Sequence, residues 1–430
     1  MDMKKFLVMA TLVMSLLPAL NAQDFDKYFS DKTLRLDYIL GATPDGMRTV
    51  LLDAQSSLPG WAGRRHNLGK LPLEGNGIVT VCDEATGDTI YRTSFSSLYH
   101  EWLSTDEAQT TPKGFEHTVL VPFPKVPAIV SIDLLDSRHS SMAGMKHKFD
   151  PSDILVAKQG EKGVTPHRYL HKGANAERAI DVAILAEGYT VEQMDSFYRD
   201  AQTAVDAILS HEPFKSHADD FNFVAVASPS LDSGVSVPRL DDWKSTSFSS
   251  HFSTFYSDRY LTSLHIKDIH DALAGIPYEH IIILANTPEY GGGGIYNSYT
   301  LTSSGHKLFW QVVVHEFGHS FGGLADEYFY EGDIMDDSYP KDVEPWEPNI
   351  TTLVDFDSKW KSLVPEGCPV PTPVAQAQKY PVGVYEGGGY SFHGVYRPAD
   401  DCRMRTNTAP EFCPACQRAL DMLIRFYVED

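Results

Sequence analysis

The chain has 430 residues, of which 42% are hydrophobic, and its formal net charge is −22. This length and hydrophobic content allow two sizeable domains, each with its own core. The strongly negative charge argues against nucleic acid and anionic membrane surfaces as partners. It is compatible with basic substrates, or simply with solubility outside the cell.

Residues 1–22 are predicted to be a secretory signal peptide. Two lysines precede an apolar run from Phe6 to Leu20, which is too short for a comfortable membrane span, and cleavage is expected after Ala22. An uncleaved membrane anchor is the alternative. The sequence contains no other apolar run of spanning length, so we expect a secreted or periplasmic protein without a membrane span. The oligomeric state stays open.

Residues 23–150 are predicted to form an antiparallel β-sandwich, because short strand patterns alternate with turn signals and no helical pattern separates them. We expect this domain either to dock substrate or to serve only as a packing domain. The candidate strands are Thr33–Leu40, Thr49–Leu52, Gly77–Cys82, Thr89–Ser94, His117–Phe123 and Ala128–Leu134.

Residues 151–176 have few apolar runs and are predicted to be a linker. In residues 177–430, strand patterns alternate with helical patterns, which predicts a mixed sheet covered by helices and an α+β protein overall. The candidate elements are the strands Ile180–Ala186, Asp220–Ser228 and His280–Ala285 and a helix over Val191–Ser210, with Thr190 as its N-cap and Gln193 completing a capping box.

The most informative motif is His315-Glu316-Phe317-Gly318-His319, an HExxH sequence behind an apolar run at mostly helical spacing. In a helix, His315 and His319 lie one turn apart on the same face, so both imidazoles can bind one tetrahedral Zn²⁺. Glu316 lies beside them and can act as general base toward water activated by the metal. The alternative is a helix with two ordinary buried histidines.

A third metal ligand is expected shortly after the motif. Gly322 and Gly323 should end the helix, and Asp326 follows three residues later. The metzincin pattern places its third ligand at the position of Ala325, so the spacing resembles that pattern with a one-residue shift. We favour Asp326. The alternatives are Glu327 and the more distant residues Glu331 and Asp336.

Two further features lie toward the end of the chain. Met404 is a candidate for a methionine-containing turn beneath the metal, although packing alone also explains a methionine in a loop. Four of the five cysteines, Cys368, Cys402, Cys413 and Cys416, lie close together in sequence. In an exported protein they favour disulfide bonds, and a structural zinc site is the alternative. Cys82 is predicted to be a buried thiol.

A glycine run at 291–294 precedes the segment Ile295–Ser303. The run is predicted to be a flexible loop. The segment after it is predicted to be a sheet strand, either an ordinary one or an edge strand above the active site that pairs antiparallel with an extended peptide.

The string HEFGHSFGGLADEY at 315–328, with the segments CRMR at 402–405 and FCPAC at 412–416, resembles the IgA-peptidase family of zinc metallopeptidases. The resemblance implies a secreted bacterial enzyme with an N-terminal β-domain and a metzincin-like catalytic domain. It also implies zinc ligation by His315, His319 and Asp326, with Glu316 as base. The family is named after immunoglobulin A cleavage, but no residue of this chain encodes that preference.

We therefore expect an exported zinc-dependent endopeptidase whose metallopeptidase domain spans 177–430 and whose substrates are proteins or peptides, with host immunoglobulin or other glycoproteins as candidates. Tyr328 and Tyr296 are candidates for stabilising the oxyanion. A zinc exopeptidase or amidase is one alternative. A non-catalytic surface-binding protein on a peptidase scaffold is another, although the intact Glu316 argues against it.

Overall fold

The computed structural model describes residues 25–175, 178–329 and 339–429. The predicted signal peptide at 1–22 lies outside the described residues. Within those residues, no helix combines the length and the apolar character needed to cross a membrane.

The chain is an α+β protein with many strands and few helices, as the sequence predicts at this coarse level. The strands are β1 (Phe29–Ala42), β2 (Arg48–Pro59), β3 (Gly77–Asp83), β4 (Thr89–Phe95), β5 (Lys113–Pro124), β6 (Ala128–Leu135), β7 (Ser141–Phe149), β8 (Ala157–Lys158), β9 (His167–His171), β10 (Ile180–Glu187), β11 (Phe221–Val226), β12 (His280–Ala285), β13 (Gly292–Ile295), β14 (Tyr299–Ser303), β15 (Tyr385–Gly388) and β16 (Ser391–Arg397). The helices are α1 (Phe25–Tyr28), α2 (Leu98–Trp102), α3 (Met194–Leu209), α4 (Ile266–Ala272), α5 (Phe309–Ser320) and α6 (Pro414–Val428).

The N-terminal strands form two four-stranded sheets, with orders β5-β1-β2-β8 and β4-β3-β6-β7. All pairings are antiparallel except the short one between β2 and β8. Alternate residues of β3 are buried, as expected for strands with one face on a core. Each of the six candidate strands lies within an observed strand, whereas β7 and α2 were not predicted.

The second part of the chain contains a six-stranded mixed sheet, with order β13-β14-β12-β10-β11-β9. Its four central strands are parallel, and the edge strands β13 and β9 are antiparallel to their neighbours. Helix α3 follows a short 3-10 turn that has the predicted capping box between Thr190 and Gln193. The segment 151–176 differs from an irregular linker, because it contains β8 and the edge strand β9.

Both faces of this sheet are covered, which is why every residue of β10, β11 and β12 is buried. Along β10, Val182 and Ile184 face a core shared with α3, α5 and α6. Ala183 and Leu185 face the opposite core, which continues through residues 235–276 into the two N-terminal sheets. The helix that carries the histidines therefore rests on a sheet held in place from both sides.

Arg35 of β1 forms two ion pairs, one of which reaches the second part of the chain. Arg35 is 1% exposed, and its Nε donates to Asp37 Oδ1 of the same strand at 2.9 Å. The same guanidinium donates to the half-exposed Asp271 Oδ1 of α4 at 2.5 Å. Arg35 and Asp37 are both removed from water, so loss of Arg35 leaves Asp37 buried without compensation.

We expect Arg35→Ala to lower the free energy of unfolding by about 3–5 kcal/mol, because Asp37 stays buried without its partner. Urea denaturation followed by tryptophan fluorescence measures this change. The matched control is Arg138→Ala, which removes an ion pair to Asp342 that also joins the two parts of the chain but is exposed. Equal losses for the two variants would contradict the role of burial.

Candidate active site

Helix α5 positions both histidines of the HExxH motif. Val313, Val314 and Phe317 are fully buried against the sheet, so the helix cannot rotate without exposing them. The other side of the helix carries His315 and His319 into a cleft, at the predicted spacing of one turn. The helix ends at Ser320, and the chain turns back at Gly323, whose φ is 59°.

Backbone carbonyls fix the tautomer of both imidazoles. The Nδ1 atom of His315 lies 2.9 Å from the carbonyl oxygen of Arg403, and Nδ1 of His319 lies 2.5 Å from that of Leu324. A carbonyl oxygen only accepts, so each Nδ1 carries the hydrogen. Each neutral ring therefore presents the lone pair of its Nε2 atom to the cleft, which is the arrangement of metal-binding histidines.

Three electron-pair donors converge at this point. The two Nε2 atoms lie 3.1 Å apart, and Asp326 Oδ1 lies 3.1 and 3.2 Å from them. Tetrahedral zinc with bonds of about 2.0–2.1 Å places neighbouring ligand atoms about 3.3 Å apart. Among the described residues, no N–H or O–H group makes a well-aligned hydrogen bond to this buried oxygen. The arrangement thus fits a cation bound by these three side chains.

The pKa shifts of His319 and Asp326 also favour a positive charge between these side chains. Burial lowers the pKa of His319, but the carboxylate of Asp326 overrides this and raises the pKa to about 9. Burial would raise the pKa of Asp326, yet the two imidazoles hold it well below its ordinary value. The site therefore retains positive charge beside the carboxylate, either as a proton or as a metal ion that replaces it.

Glu316 lies in the same cleft. Its carboxylate can approach both imidazoles, with one oxygen within 4.8 Å of a nitrogen on each ring. A Cβ at Gly292 would lie 2.7 Å from Glu316 Oε1, so β13 runs close beside this side chain. Burial raises the pKa of Glu316, against the opposing effect of the imidazoles.

Of the other candidates for the third ligand, Glu327 points away from the histidines. Its Oε1 accepts from Asn349 Nδ2 at 3.1 Å and lies 3.1 Å from Cys416 Sγ. Asn349 also bonds both the N–H and the carbonyl of Ala325, which holds the segment before Asp326 in place. Glu331 and Asp336 lie outside the described residues.

Sequence reasoning missed Tyr390, which lies in the turn between β15 and β16. Its hydroxyl donates to Asp326 Oδ2, and Tyr328 Oη lies 3.0 Å from the same hydroxyl. The turn also holds the backbone of the segment, because the N–H of Gly389 donates to Asp326 O at 2.8 Å. Asp326 is thus oriented by residues that are distant in sequence, and no local spacing signalled them.

Tyr328 and Tyr296 both line the cleft. Tyr296 is 3% exposed, its hydroxyl lies 3.4 Å from Ser94 Oγ, and its ring stacks at a tilt 5.3 Å from that of Trp346. This burial makes Tyr296 a poorer candidate than Tyr328 for contact with a reacting group.

The segment at 291–303, which lies beside α5, differs from the prediction of a flexible loop followed by a single strand. The glycine run is not a flexible loop, since residues 292–294 belong to the edge strand β13, and 299–303 form the second strand, β14. Gly291 O accepts from Ser303 N, and Ile295 O from Ser298 N. Backbone groups alternate in direction along a strand, so those of Gly292 and Gly294 face away from β14, and on that side Gly292 forms a bridge to Tyr260.

The N-terminal part of the chain forms one wall of the cleft, which has a volume of about 720 Å³. Glu101 of α2 is solvent-exposed and accepts a hydrogen bond from Tyr260 Oη. Asn76, Ser97 and His100 also line the cleft. The N-terminal part of the chain therefore contributes residues to the lining of this cleft.

The turn containing Met404 lies directly against α5. Met404 is fully buried, and a Cβ at Gly318 would lie 2.7 Å from its Sδ atom. The preceding residue, Arg403, supplies the carbonyl that orients His315. The Met404 turn thus packs against the HExxH helix, which is compatible with the predicted position beneath a metal.

The predicted disulfide bonds are wrong, because all five cysteines are free. Cys402 Sγ and Cys416 Sγ are 3.8 Å apart, whereas a disulfide bond measures about 2.05 Å. Cys82 is partly exposed rather than buried, since its side chain lies on the less covered face of β3.

Comparison with known proteins identifies the family. The chain matches the model of IgA Peptidase M64 over residues 169–381 and 375–424, and that of the Peptidase M64 N-terminus over residues 24–145. No curated protein matches it. The first match covers more than half of the chain and agrees with the resemblance seen in the sequence. The chain therefore belongs to the IgA peptidase M64 family and is a metallopeptidase, whose substrates are proteins or peptides.

Proposed function

We propose that this protein is a zinc-dependent endopeptidase in which His315, His319 and Asp326 bind the metal and Glu316 is the general base. The observation that carries the proposal is the convergence of two Nε2 lone pairs and one carboxylate oxygen within 3.2 Å of one another. Without a cation, three electron-rich atoms at this distance repel one another.

Zinc is the metal that best suits this donor set. Imidazole nitrogen and carboxylate oxygen are both good zinc ligands, and catalytic zinc sites have three protein ligands with one position left open. The three side chains come from one side, the helix and the segment after it, and the cleft lies on the other. That geometry supports an open position facing substrate.

When bound, zinc polarises the scissile carbonyl and lowers the pKa of water to near neutrality. Glu316 then accepts the proton of the attacking water at its carboxylate and delivers it to the leaving amine. Burial suits Glu316 for this exchange, because a raised pKa lets the carboxyl group hold the proton between the two steps. Tyr328, close to Asp326 in the cleft, is the candidate donor to the oxyanion.

The outer edge of β13 at Gly294, beyond the bridge between Gly292 and Tyr260, supports an endopeptidase. An extended peptide that pairs with the backbone groups of the partly exposed Gly294, antiparallel to β13, would lie alongside α5. A Cβ at Gly294 would lie 2.8 Å from His319 Cβ, so this strand runs directly beside the metal ligands. We further propose a metzincin-like catalytic domain at 177–430 and an N-terminal β-sandwich at 23–150. Immunoglobulin and other host glycoproteins are candidate substrates.

Tyr390 has a positioning role in this proposal. Its hydrogen bond to Asp326 Oδ2 leaves Oδ1 directed at the two histidines. A hydrogen bond to a metal-binding side chain holds that side chain in its binding orientation and so raises the affinity for the metal.

We expect Glu316→Gln to lower kcat by about 100- to 10,000-fold while zinc remains bound, because only the proton transfer is lost. Cleavage of a diverse peptide library measures the loss of activity, and mass spectrometry measures whether zinc remains bound. Removal of zinc with a chelator should abolish wild-type cleavage, and added zinc should restore it.

The matched control is Glu366→Gln, which changes an exposed glutamate and should leave cleavage unchanged. Internal cuts that disappear in Glu316→Gln support the endopeptidase. Trimming from one end alone would instead identify an exopeptidase, and full activity of Glu316→Gln would exclude this residue as the base.

We expect Tyr390→Phe to weaken zinc binding by about 10- to 100-fold, because Asp326 loses the donor that orients it. Competition with a chromophoric chelator measures the dissociation constant. Tyr396→Phe, on the same hairpin, is the control and should bind zinc normally. A lower melting temperature with unchanged zinc affinity would show that Tyr390 acts only in stability.

We also propose that the protein is exported and becomes secreted or periplasmic. The support is the charged and apolar pattern of residues 1–22. N-terminal sequencing of the protein from culture medium or periplasm should begin at Gln23. Recovery of the uncleaved chain from the membrane fraction would support an anchor instead.

A further inference from the structure

A second group of potential metal ligands lies behind the Met404 turn. Its members are Glu327, Cys402, Cys413 and Cys416, all buried, and one ligand atom from each lies within 4.8 Å of the others. None of these residues takes part in the proposed reaction. The proposed reaction therefore does not explain why these sulfur and carboxylate groups lie so close together.

We propose that these four side chains form a structural site for a thiophilic divalent cation, Zn²⁺, separate from the HExxH site. The separation of two of the sulfur atoms agrees with tetrahedral geometry. Zinc–sulfur bonds of about 2.3 Å place two sulfur atoms about 3.8 Å apart. Cys402 Sγ and Cys416 Sγ are separated by 3.8 Å, and Cys416 Sγ lies 3.1 Å from Glu327 Oε1.

The carboxylate of Glu327 gives independent support for a cation. Glu327 is fully buried, and its Oε2 atom has no hydrogen-bond partner among the described residues. A buried carboxylate oxygen without a hydrogen-bond partner is unfavourable, so such oxygens are paired or bind metals. A metal ion among the cysteine sulfur atoms would give Oε2 its partner.

Backbone N–H groups donate to the sulfur of Cys402, as expected for a thiolate. The N–H of Cys413 lies 3.2 Å from Cys402 Sγ, and that of Met404 lies 3.5 Å away. Hydrogen bonds of this kind to ligand atoms orient metal-bound side chains and tune the metal. Cys413 is also the N-cap of the 15-residue helix α6, where the helix dipole favours negative charge.

Two buried positive charges lie near the site. Zinc with three thiolates and one carboxylate carries two negative charges, which are costly in a protein interior. Arg397, which interacts electrostatically with Glu327 and is also paired with Asp400, and Arg403, which interacts with Cys402, reduce this cost.

This position lets the second metal support the first site. Glu327 directly follows Asp326, and its N–H donates to the carbonyl of Met404 at 2.9 Å. Cys402 directly precedes Arg403, whose carbonyl orients His315. One ion would therefore tie the segment of the third ligand, the Met404 turn and helix α6 together.

Cobalt substitution tests the proposal without relying on activity. The purified full chain is stripped of metal and loaded with Co²⁺, and its absorption spectrum is recorded. Cobalt bound to thiolate gives a sulfur-to-metal charge-transfer band, which the His315–His319–Asp326 site cannot produce because it has no sulfur ligand. We expect this band in the wild-type protein, together with a second bound metal per chain.

Cys413→Ser and Cys416→Ser should each abolish or greatly weaken the band and lose one of the two metals. Cys368→Ser is the control, because this cysteine bonds to Thr372 outside the group, and it should keep the band. His319→Ala should also keep the band while it loses the other metal, so failure at one site is distinguishable from failure at the other.

Two results would overturn the proposal. One is the absence of the charge-transfer band from cobalt-loaded wild-type protein, which decides the matter even if the cysteine variants do not fold. The other is a disulfide bond between Cys402 and Cys416, found by mass mapping of protein purified without reductant.

Discussion

Two hydrogen bonds to backbone carbonyls determine what the cleft can bind. Because Arg403 O and Leu324 O each accept from an Nδ1 atom, neither histidine can turn its protonated nitrogen toward Asp326 while it remains neutral. The carbonyls come from separate segments, one just after helix α5 and one from the Met404 turn. The orientation of two side chains on one helix thus depends on how distant parts of the chain pack around it.

The mixed sheet makes that packing possible. Its central strands are buried on both faces, so the helix on one face and the N-terminal sheets on the other are held by a common layer. The ion pairs of Arg35 add a directional link across the boundary, because the guanidinium bonds β1 and α4 at once. Rigid support on both sides suits a site whose donor atoms must keep their places within a few tenths of an ångström.

The sequence predicted the parts of the site that are local. Helical spacing and an early turn determine where the two histidines and Asp326 lie, and all of them fall within twelve residues. Tyr390 is 64 residues from Asp326, so only tertiary pairing brings the two together. Residues 292–294 are all glycine, so the sequence gives no sign of strand propensity there. These residues form a strand because they pair with β14. The prediction of disulfide bonds relied on the oxidising conditions that exported proteins meet, and these conditions do not determine the distance between sulfur atoms.

One wall of the cleft and the proposed metal ligands come from different stretches of this chain. The N-terminal wall of the cleft, with Asn76, Ser97 and Glu101, lies more than two hundred residues before the donor atoms that surround the histidines. Substitutions in that wall can change which side chains fit beside the scissile bond and leave the reacting groups as they are. An inhibitor directed at this wall therefore has a route to selectivity that metal-chelating compounds lack.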